Sequence, residues 1–480
     1  MEAAFSQVFS ALPQLATIPF PDYNKLCGIV RVGNLWGGEE MRSKWIKRGA
    51  IFLLVFVFFT GAFLAARQLW FNPYRGTITA FRQSEKLETV LASPLALEDL
   101  DFLARRLQER HPACIDGLPE NVQALYERER SRIISSPGVS VLSLWQSSAR
   151  LLALLHDAHT TVGVKYENGG RVGLSFAWEK EGLICKGGEY NGFTVVEIGG
   201  KSVPDLFNNY LSQFSYELET WARHSFTARL NQGEYLAFIG VDTENSIPFL
   251  LKNPQGGALL TAVFNLRDGV PEVGNEGPSF SYSVDPAAGV GIFSLRQCIY
   301  DENYRGGLGR FFASIRENNC SNVIIDLRGN PGGNSRVADE FIRYLPAEDY
   351  SVITAQVREG PILWKNKPQR RVNRHLEPIF TGKVYVLTSM DTFSAAMDFA
   401  VLISDNNLGT IIGEIPGNMP SSYGDILHFQ TPNAGLAFTI SHKYFVRPDA
   451  TKSGLPLVPD IIVPAEEALS ETVRLIGQAE

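Results

Sequence analysis

Apolar residues recur along the chain with a period that changes twice. Between Leu87 and Leu155 they recur at three and four places, as in "LEDLDFLARRLQERH" and "VLSLWQSSARLLALLH", which predicts amphipathic helices. From about Val162 to Asp268, short β-prone runs are separated by Gly and Asn, as in "RVGLSFAWEKEGLIC", "GFTVVEIGG", "GEYLAFIGV" and "ALLTAVFNLR". The pattern therefore predicts a helical arm over residues 85–161 and a small β-rich middle region over residues 162–285.

A third pattern begins after Gly289, where strand-like and helix-like runs alternate. The order is "GVGIFSLRQ", "LGRFFASIRENN", "NVIIDLRG", "RVADEFIRYL", "KVYVLTS", "SAAMDFAVLISD" and "LGTIIGE". Strands that are mainly apolar without alternation, such as Val323 to Leu327, are typical of a largely parallel sheet covered by helices. We therefore expect an α/β domain over residues 286–480, and any catalytic chemistry within it.

A membrane segment is predicted near the N-terminus, where residues 49–66 read "GAIFLLVFVFFTGAFLAA". These 18 residues carry no charge and have about the minimum length that spans a hydrocarbon core. Basic residues crowd the preceding flank, at Arg42, Lys44, Lys47 and Arg48, and are fewer after it. The positive-inside rule then predicts a cytoplasmic tail over residues 1–48, a single-pass membrane protein, and a catalytic part outside the cytoplasm.

The same segment has the basic and apolar regions of a secretory signal, with Met41 as an alternative start. In that case residues 1–40, which show no periodicity, would not be translated. Leu64 makes the site for a cut after Ala66 a poor one, which favours an uncleaved signal anchor. If the segment were removed, the protein would be secreted.

Composition excludes several classes of function. At 480 residues, with 45% hydrophobic content, the chain can bury a full core. A net charge of −7 and the absence of basic and aromatic stripes argue against nucleic acid as a partner. Five isolated cysteines show no zinc-ligand spacing, so neither a metal nor a cofactor is expected. The oligomeric state is not indicated.

Ser394 lies where the apolar strand "KVYVLTS" gives way to the helix-like "SAAMDFAVLISD". A serine at such a bend is lifted out of the sheet beside backbone N–H groups, which suits a nucleophile. Serine is equally a favoured N-cap, whose hydroxyl accepts a hydrogen bond from an N–H two or three residues on. Local sequence alone favours the cap.

Two other stretches could complete a site with Ser394. In "NVIIDLRGNPGGNS" a buried strand is followed by a glycine turn that can point N–H groups at an oxyanion or a phosphate, or can be merely a tight connection. In "LLALLHDAHTTV" a helix ends at His156, Asp157 and His159, and either histidine could act as a general base.

Taken together, these stretches resemble the tail-specific, or carboxy-terminal processing, serine peptidases. "VIIDLRGNPGG" is similar to that family's oxyanion turn, "VLTSMDTFSAAMDFA" to its nucleophile segment, and "SGLPLVPDIIV" to its closing segment. "DAHT" resembles the histidine motif of the tricorn-type branch, which also contains the interphotoreceptor retinoid-binding protein. The resemblance implies an α/β fold of the crotonase/ClpP-like β-α superhelical type.

By position, the resemblance makes Ser394 the nucleophile and His159 the base. It assigns the oxyanion hole to Gly332 or Gly333 together with the N–H of Ala395. It also gives the middle region two interpretations, a diverged PDZ domain or the β-domain of the retinoid-binding branch.

Two departures from the family affect the catalytic residues. Met419 stands 25 residues after Ser394, where the bacterial and chloroplast branch has its lysine base, so a Ser–Lys dyad is excluded. Ser453 stands seven residues before Asp460, where the tricorn branch has a glutamate. Asp449, four residues earlier, is the candidate for the missing third member of a triad.

The sequence thus predicts a membrane-anchored, extracytoplasmic serine endopeptidase that acts on peptides or unstructured protein tails. The alternative is a catalytically silent protein that binds a peptide or an apolar ligand on the same fold. A hydrogen bond from Ser394 Oγ to His159 Nε2 would favour hydrolysis. A packed side chain between them would favour the binding protein.

Overall fold

The computed structural model describes residues 39–167, 169–180, 182–268 and 277–478. The chain divides into two units, and an apolar helix lies in the first of them. This helix, α1, spans Glu39–Ala66. Within the described residues, only the stretch Lys47–Phe71 is long and apolar enough to cross a membrane. Its large apolar side chains from Ile51 to Leu64 are exposed, unlike those of a core helix. Residues 1–38 of the predicted tail, with Cys27, lie outside the described residues.

Three helices form the predicted arm. The elements are β1 (Val90–Ala92), α2 (Ser93–Arg110), a 3₁₀ turn (Pro112–Cys114), α3 (Glu120–Ile134), β2 (Gly138–Ser140) and α4 (Val141–Ala153). The three- and four-residue spacing puts Leu100, Leu103 and Leu107 on the buried face of α2. Ser140 caps α4 by accepting the Ser143 N–H at 3.2 Å. The helical prediction for this region is confirmed.

The middle region contains an antiparallel sheet together with three helices. The elements are β3 (Val162–Gly163), β4 (Gly170–Arg171), β5 (Ser175–Glu179), β6 (Gly182–Lys186), β7 (Thr194–Ile198), β8 (Lys201–Ser202), α5 (Val203–Leu211), α6 (Glu219–Arg229), α7 (Gly233–Phe238), β9 (Ile247–Lys252), β10 (Leu259–Phe264) and β11 (Arg267–Asp268). The sheet order is β10-β9-β7-β6-β5, and β8 pairs with β7. Whether this is a diverged PDZ domain stays a prediction.

One strand prediction in this region is wrong. "GEYLAFIGV" begins with the helix α7 instead of a strand. In a helix, Tyr235 and Phe238 lie three residues apart on one face, and both rings contact Trp145 of α4, at centroid distances of 5.3 and 4.3 Å. Burial of this face against the arm overrides the β propensity of the segment.

The C-terminal region contains the predicted strand and helix alternation. Its elements are β12 (Phe280–Asp285), β13 (Val290–Leu295), α8 (Glu302–Glu317), β14 (Asn322–Asp326), α9 (Arg336–Ile342), β15 (Asp349–Ser351), β16 (Thr354–Glu359), β17 (Ile362–Lys365), β18 (Arg370–Val372), β19 (Lys383–Thr388), α10 (Ala395–Asp405), β20 (Thr410–Gly413), β21 (Tyr423–Gln430), β22 (Ala437–Val446), a 3₁₀ turn (Ala450–Lys452), β23 (Ile461–Ile462) and α11 (Ala468–Gln478). The main sheet has the order β12-β13-β14-β19-β20-β23 and is parallel except for β12. The prediction of a largely parallel sheet is confirmed.

A second sheet in this region was not predicted, and it positions the histidine motif. Strands β17, β16, β22 and β21 pair antiparallel, and β3 joins β22 with Val162 opposite Phe438. The side chains of Phe429 and Phe438 belong to the same hydrophobic core as the arm and the middle sheet. Residues 68–480 therefore form one compact unit, within which the predicted arm, middle and catalytic regions all lie.

Candidate functional site

Ser394 lies at the bend between β19 and α10 in a strained backbone conformation. Its φ of 55° and ψ of −122° fall in a region that non-glycine residues rarely adopt, at a cost of about 1–3 kcal/mol. The residue occupies the N-cap position, yet its hydroxyl makes no capping hydrogen bond. Its N–H donates to Asn418 Oδ1 at 2.8 Å. The half-buried hydroxyl is thus left free for another role, and the capping interpretation does not describe it.

The glycine turn packs directly against Ser394. Gly332 has a φ of +96°, and a Cβ placed on it would lie 2.7 Å from Ser394 Cβ and 2.8 Å from the Ala395 nitrogen. Only glycine allows this approach. The turn is tied to the bend by two further hydrogen bonds, from the Phe393 N–H to Asn330 O at 3.0 Å and from Thr392 Oγ1 to Leu327 O at 2.9 Å.

The structure distinguishes between the two glycines as oxyanion donors. The Gly332 N–H already donates to Asn330 Oδ1 at 2.9 Å. Gly333 pairs with Cys298 in a parallel β-bridge, in which the Cys298 N–H donates to Gly332 O and the Asn334 N–H donates to Cys298 O. The N–H of Gly333 itself takes no part in this bridge. Ala395 is the first residue of α10, and its N–H has no acceptor within the helix. The candidate oxyanion donors are therefore Gly333 and Ala395.

His159 reaches this place through β3 and its pairing with β22. Thr439 Oγ1 donates to the His159 carbonyl at 2.7 Å, and the Thr439 N–H donates to Thr161 O at 2.8 Å. The His159 ring packs against the ring of Phe393, the neighbour of Ser394, with centroids 4.6 Å apart. His156, by contrast, is exposed. Of the two histidines, His159 is the one that packs against the segment carrying the serine.

The His159 imidazole and the Ser394 hydroxyl are not hydrogen-bonded. Both ring nitrogens of His159 are buried and have no hydrogen-bond partner among the described residues. Burial lowers the pKa of His159, and the nearby charge of Asp157 only partly offsets this effect. A neutral imidazole can accept a proton.

Asp157 holds the backbone around His159. Its buried carboxylate accepts hydrogen bonds from the His159 N–H at 2.9 Å and from the Thr160 hydroxyl, and pairs with His111 Nε2 at 3.1 Å. Burial raises the pKa of Asp157, but the hydrogen bond and charge of His111 and the charge of His159 outweigh burial and bring it to about 2. His111, in "ERHPAC", carried no signal in the sequence.

Glu217 is a second carboxyl group beside His159 that sequence reasoning missed. It lies between α5 and α6, where no motif marks it. Ligand atoms of Asp157, His159 and Glu217 lie within 4.8 Å of one another, the spacing of a candidate metal group. Burial and the charge of Asp157 raise the pKa of Glu217 well above its usual range. The sequence predicted no metal ligands, and these three side chains come together only in the folded chain.

Asp449 is not brought to His159. Its carboxylate accepts hydrogen bonds from the N–H and hydroxyl of Thr451, at 3.1 and 2.6 Å, and pairs with Lys452 at 3.4 Å. Among the described residues, the carboxylate within 4 Å of a His159 nitrogen is that of Asp157, at 3.9 Å. The fold uses Asp449 to cap the 3₁₀ turn that follows it.

Comparison with known proteins places this arrangement in context. Residues 289–463 match the model of peptidase family S41. Two structures of mature CPAF, one complexed with lactacystin, superpose with TM-scores of 0.61 at 14% sequence identity. They cover 81% and 80% of this chain and 97% and 98% of their own. At this identity the likeness concerns the fold. The photosystem II D1 C-terminal processing protease matches with a TM-score of 0.44 at 13% identity, over 80% of this chain and 97% of its own.

Proposed function

Because residues 289–463 match the model of peptidase family S41, we propose that this chain is a membrane-anchored serine endopeptidase that uses Ser394 as its nucleophile. The observation that carries the proposal is the strained Ser394 with an uncapped hydroxyl, pressed against a glycine turn. Strain at such a bend is the usual means of presenting a nucleophile above a sheet.

In the proposed mechanism, His159 takes the proton from Ser394 Oγ as that oxygen attacks the scissile carbonyl carbon. The N–H groups of Gly333 and Ala395 stabilise the oxyanion of the tetrahedral intermediate. His159 then gives the proton to the leaving amine, and water releases the acyl group by the same route in reverse. The imidazole turns from the Phe393 ring toward Ser394 when substrate binds, since catalytic hydrogen bonds often form only in the complex.

The proposed location outside the cytoplasm rests on the first helix. Its exposed apolar side chains would be solvated by lipid, and the basic residues before it would stay on the cytoplasmic side. The catalytic part then meets peptides or unstructured protein tails outside the cytoplasm.

One observation favours a second candidate function, the catalytically silent binding protein. Phe393 packs on the His159 ring, and no hydrogen bond joins the imidazole to Ser394. If that packing were permanent, the cleft would bind a peptide or an apolar ligand without cleaving it.

Peptide hydrolysis separates the two candidates. The full chain in detergent should cleave members of an unstructured peptide library, and Ser394→Ala should abolish cleavage. Ser404→Ala, on the same helix, is the matched control and should cleave like the wild type. Binding without cleavage by the wild type, or cleavage that survives in Ser394→Ala, would refute the peptidase proposal.

A further inference from the structure

Glu217 has an unsatisfied carboxyl oxygen next to an unsatisfied imidazole. Its Oε2 accepts the Met419 N–H at 2.7 Å, and the Ala158 N–H also lies close to the carboxyl group, but the buried Oε1 accepts no hydrogen bond of normal geometry from the described residues. Both ring nitrogens of His159 are likewise buried and without a hydrogen-bond partner among the described residues. Buried polar atoms without hydrogen bonds destabilise a fold, and ligand atoms of these two groups lie within 4.8 Å of each other, so the two groups can become partners.

Asp157 lies nearer to the imidazole, with its Oδ1 3.9 Å from His159 Nδ1, but both of its oxygens already accept other hydrogen bonds. Its Oδ1 accepts the backbone N–H of His159, and its Oδ2 takes the hydroxyl of Thr160 and the ring of His111. These bonds shape the loop that carries His159. Asp449 is engaged elsewhere. Of these three carboxyl groups, only that of Glu217 has an oxygen, Oε1, that can still accept a hydrogen bond from the imidazole.

Glu217 is also tied to the loop that holds the nucleophile. The N–H of Met419 binds its carboxyl group, and the preceding residue, Asn418, accepts the Ser394 N–H. Three residues after Glu217, the Thr220 hydroxyl donates to Pro416 O at 2.9 Å. One loop therefore connects this carboxyl group to the backbone of Ser394.

We propose that Glu217 is the positioning residue for His159, filling the role of the family glutamate that this sequence lacks. This inference rests on the proposed function of Ser394 and His159. In the working state, one ring N–H of His159 donates to Glu217 Oε1, which fixes the tautomer and leaves the other nitrogen to accept the Ser394 proton. Glu217 forms no covalent bond, and the transferred proton stays on His159 until the amine leaves.

The pH dependence follows from the groups that face this pair. His159 faces Asp157 and Glu217, and Glu217 also faces Tyr423 and Tyr444 of the second sheet. Burial and the charge of Asp157 raise the pKa of Glu217, so Glu217 and His159 titrate as a coupled pair in which the ionised carboxylate stabilises the imidazolium and raises the pKa of His159. Without that charge, His159 stays neutral to lower pH, and the acid limb of the activity profile shifts to lower pH.

Glu217→Gln in the full chain tests the role kinetically. The amide oxygen can still accept the Met419 N–H, so the fold is kept. We expect kcat to fall at least tenfold and toward the roughly 10⁴-fold loss that follows neutralisation of an orienting acid. KM should stay within about twofold, since the carboxyl group does not touch substrate. The acid limb should move to lower pH. Glu219→Gln, two residues away and exposed, should behave like the wild type.

A titration that needs no turnover separates this inference from the proposed function. In Ser394→Ala protein carrying ¹³C-labelled histidine, the His159 resonance, identified by its loss in His159→Ala, should titrate at lower pH when Glu217→Gln is added. An unchanged titration, or an unchanged kcat and acid limb in the single variant, overturns the role of Glu217. Absence of wild-type hydrolysis with the titration shift intact would instead overturn the proposed function alone.

Discussion

A single methyl group on Gly332 should disable the peptidase while leaving it folded. The new Cβ would lie 2.7 Å from Phe393 O and Ser394 Cβ, and 2.8 Å from the Ala395 nitrogen. None of these atoms belongs to a flexible side chain. Carbon atoms pack best at about 3.5–4.0 Å, so the glycine turn and the bend at Ser394 must separate by about 0.8 Å.

That displacement moves the Gly333 N–H away from the oxyanion position. Loss of one oxyanion donor costs about 2.7–4 kcal/mol, so kcat should fall about 10²–10³-fold with little change in KM. The left-handed backbone at a φ of +96° adds about 1–2 kcal/mol of destabilisation. Steady-state hydrolysis of a peptide and urea unfolding measure the two effects separately.

Gly256→Ala is the matched control for Gly332→Ala. Gly256 has a φ of +99°, and nothing lies within 4 Å of its Cβ position. This variant should lose similar stability from backbone strain and keep wild-type kcat. If Gly332→Ala also kept wild-type kcat, the close approach of the turn to Ser394 would have no catalytic meaning, and the oxyanion assignment would be wrong.

Three further predictions follow from the structure. Because the pKa of Asp157 is about 2 when folded and 3.8 when unperturbed, its ionisation stabilises the fold above about pH 4, and this stability is lost as pH falls toward 2. The unfolding free-energy gap between wild type and Asp157→Asn should narrow by about 1 kcal/mol from pH 6 to pH 3, and a constant gap would contradict the assignment. Asn418→Ala removes the acceptor of the Ser394 N–H and should cost about 1–3 kcal/mol in urea unfolding together with most of the kcat; a fully active variant would show that Asn418 does not hold the nucleophile. When membranes are washed at alkaline pH, the full chain should stay in the membrane fraction, and a chain lacking residues 1–68 should be released. A mature N-terminus at Arg67, found by N-terminal sequencing, would show instead that the segment is a cleaved signal.

The parallel sheet was predictable because its strands are buried on both faces. All five residues of β14 are buried, and its three central residues form the apolar run "VII", which is the sequence signal of a strand covered on both faces. The glycine turn and Ser394 could be found for a related reason, since each lies in the short connection between such a strand and the next helix. These features depend on residues that are close together in sequence.

The remaining parts of the site depend on contacts between distant segments. The second sheet joins β3 to β22, more than 270 residues later, and no local pattern encodes that pairing. Glu217 lies in a connection between helices, and only the fold brings it to His159. Similarly, α7 became helical because its aromatic face packs on Trp145. Asp449 was predicted as the third triad member from its position in the sequence alone. That position does not show that its carboxylate binds the Thr451 hydroxyl and pairs with Lys452.

The most direct test of the central claim is the site of labelling by a serine-reactive fluorophosphonate. The reagent needs both an activated hydroxyl and an oxyanion hole, so it reports on the assembled site. Mass spectrometry of the labelled full chain should find a single adduct on the peptide that contains Ser394, with none in Ser394→Ala. An adduct on another residue, or no adduct on a protein that hydrolyses peptides, would contradict the assignment of Ser394 as the nucleophile.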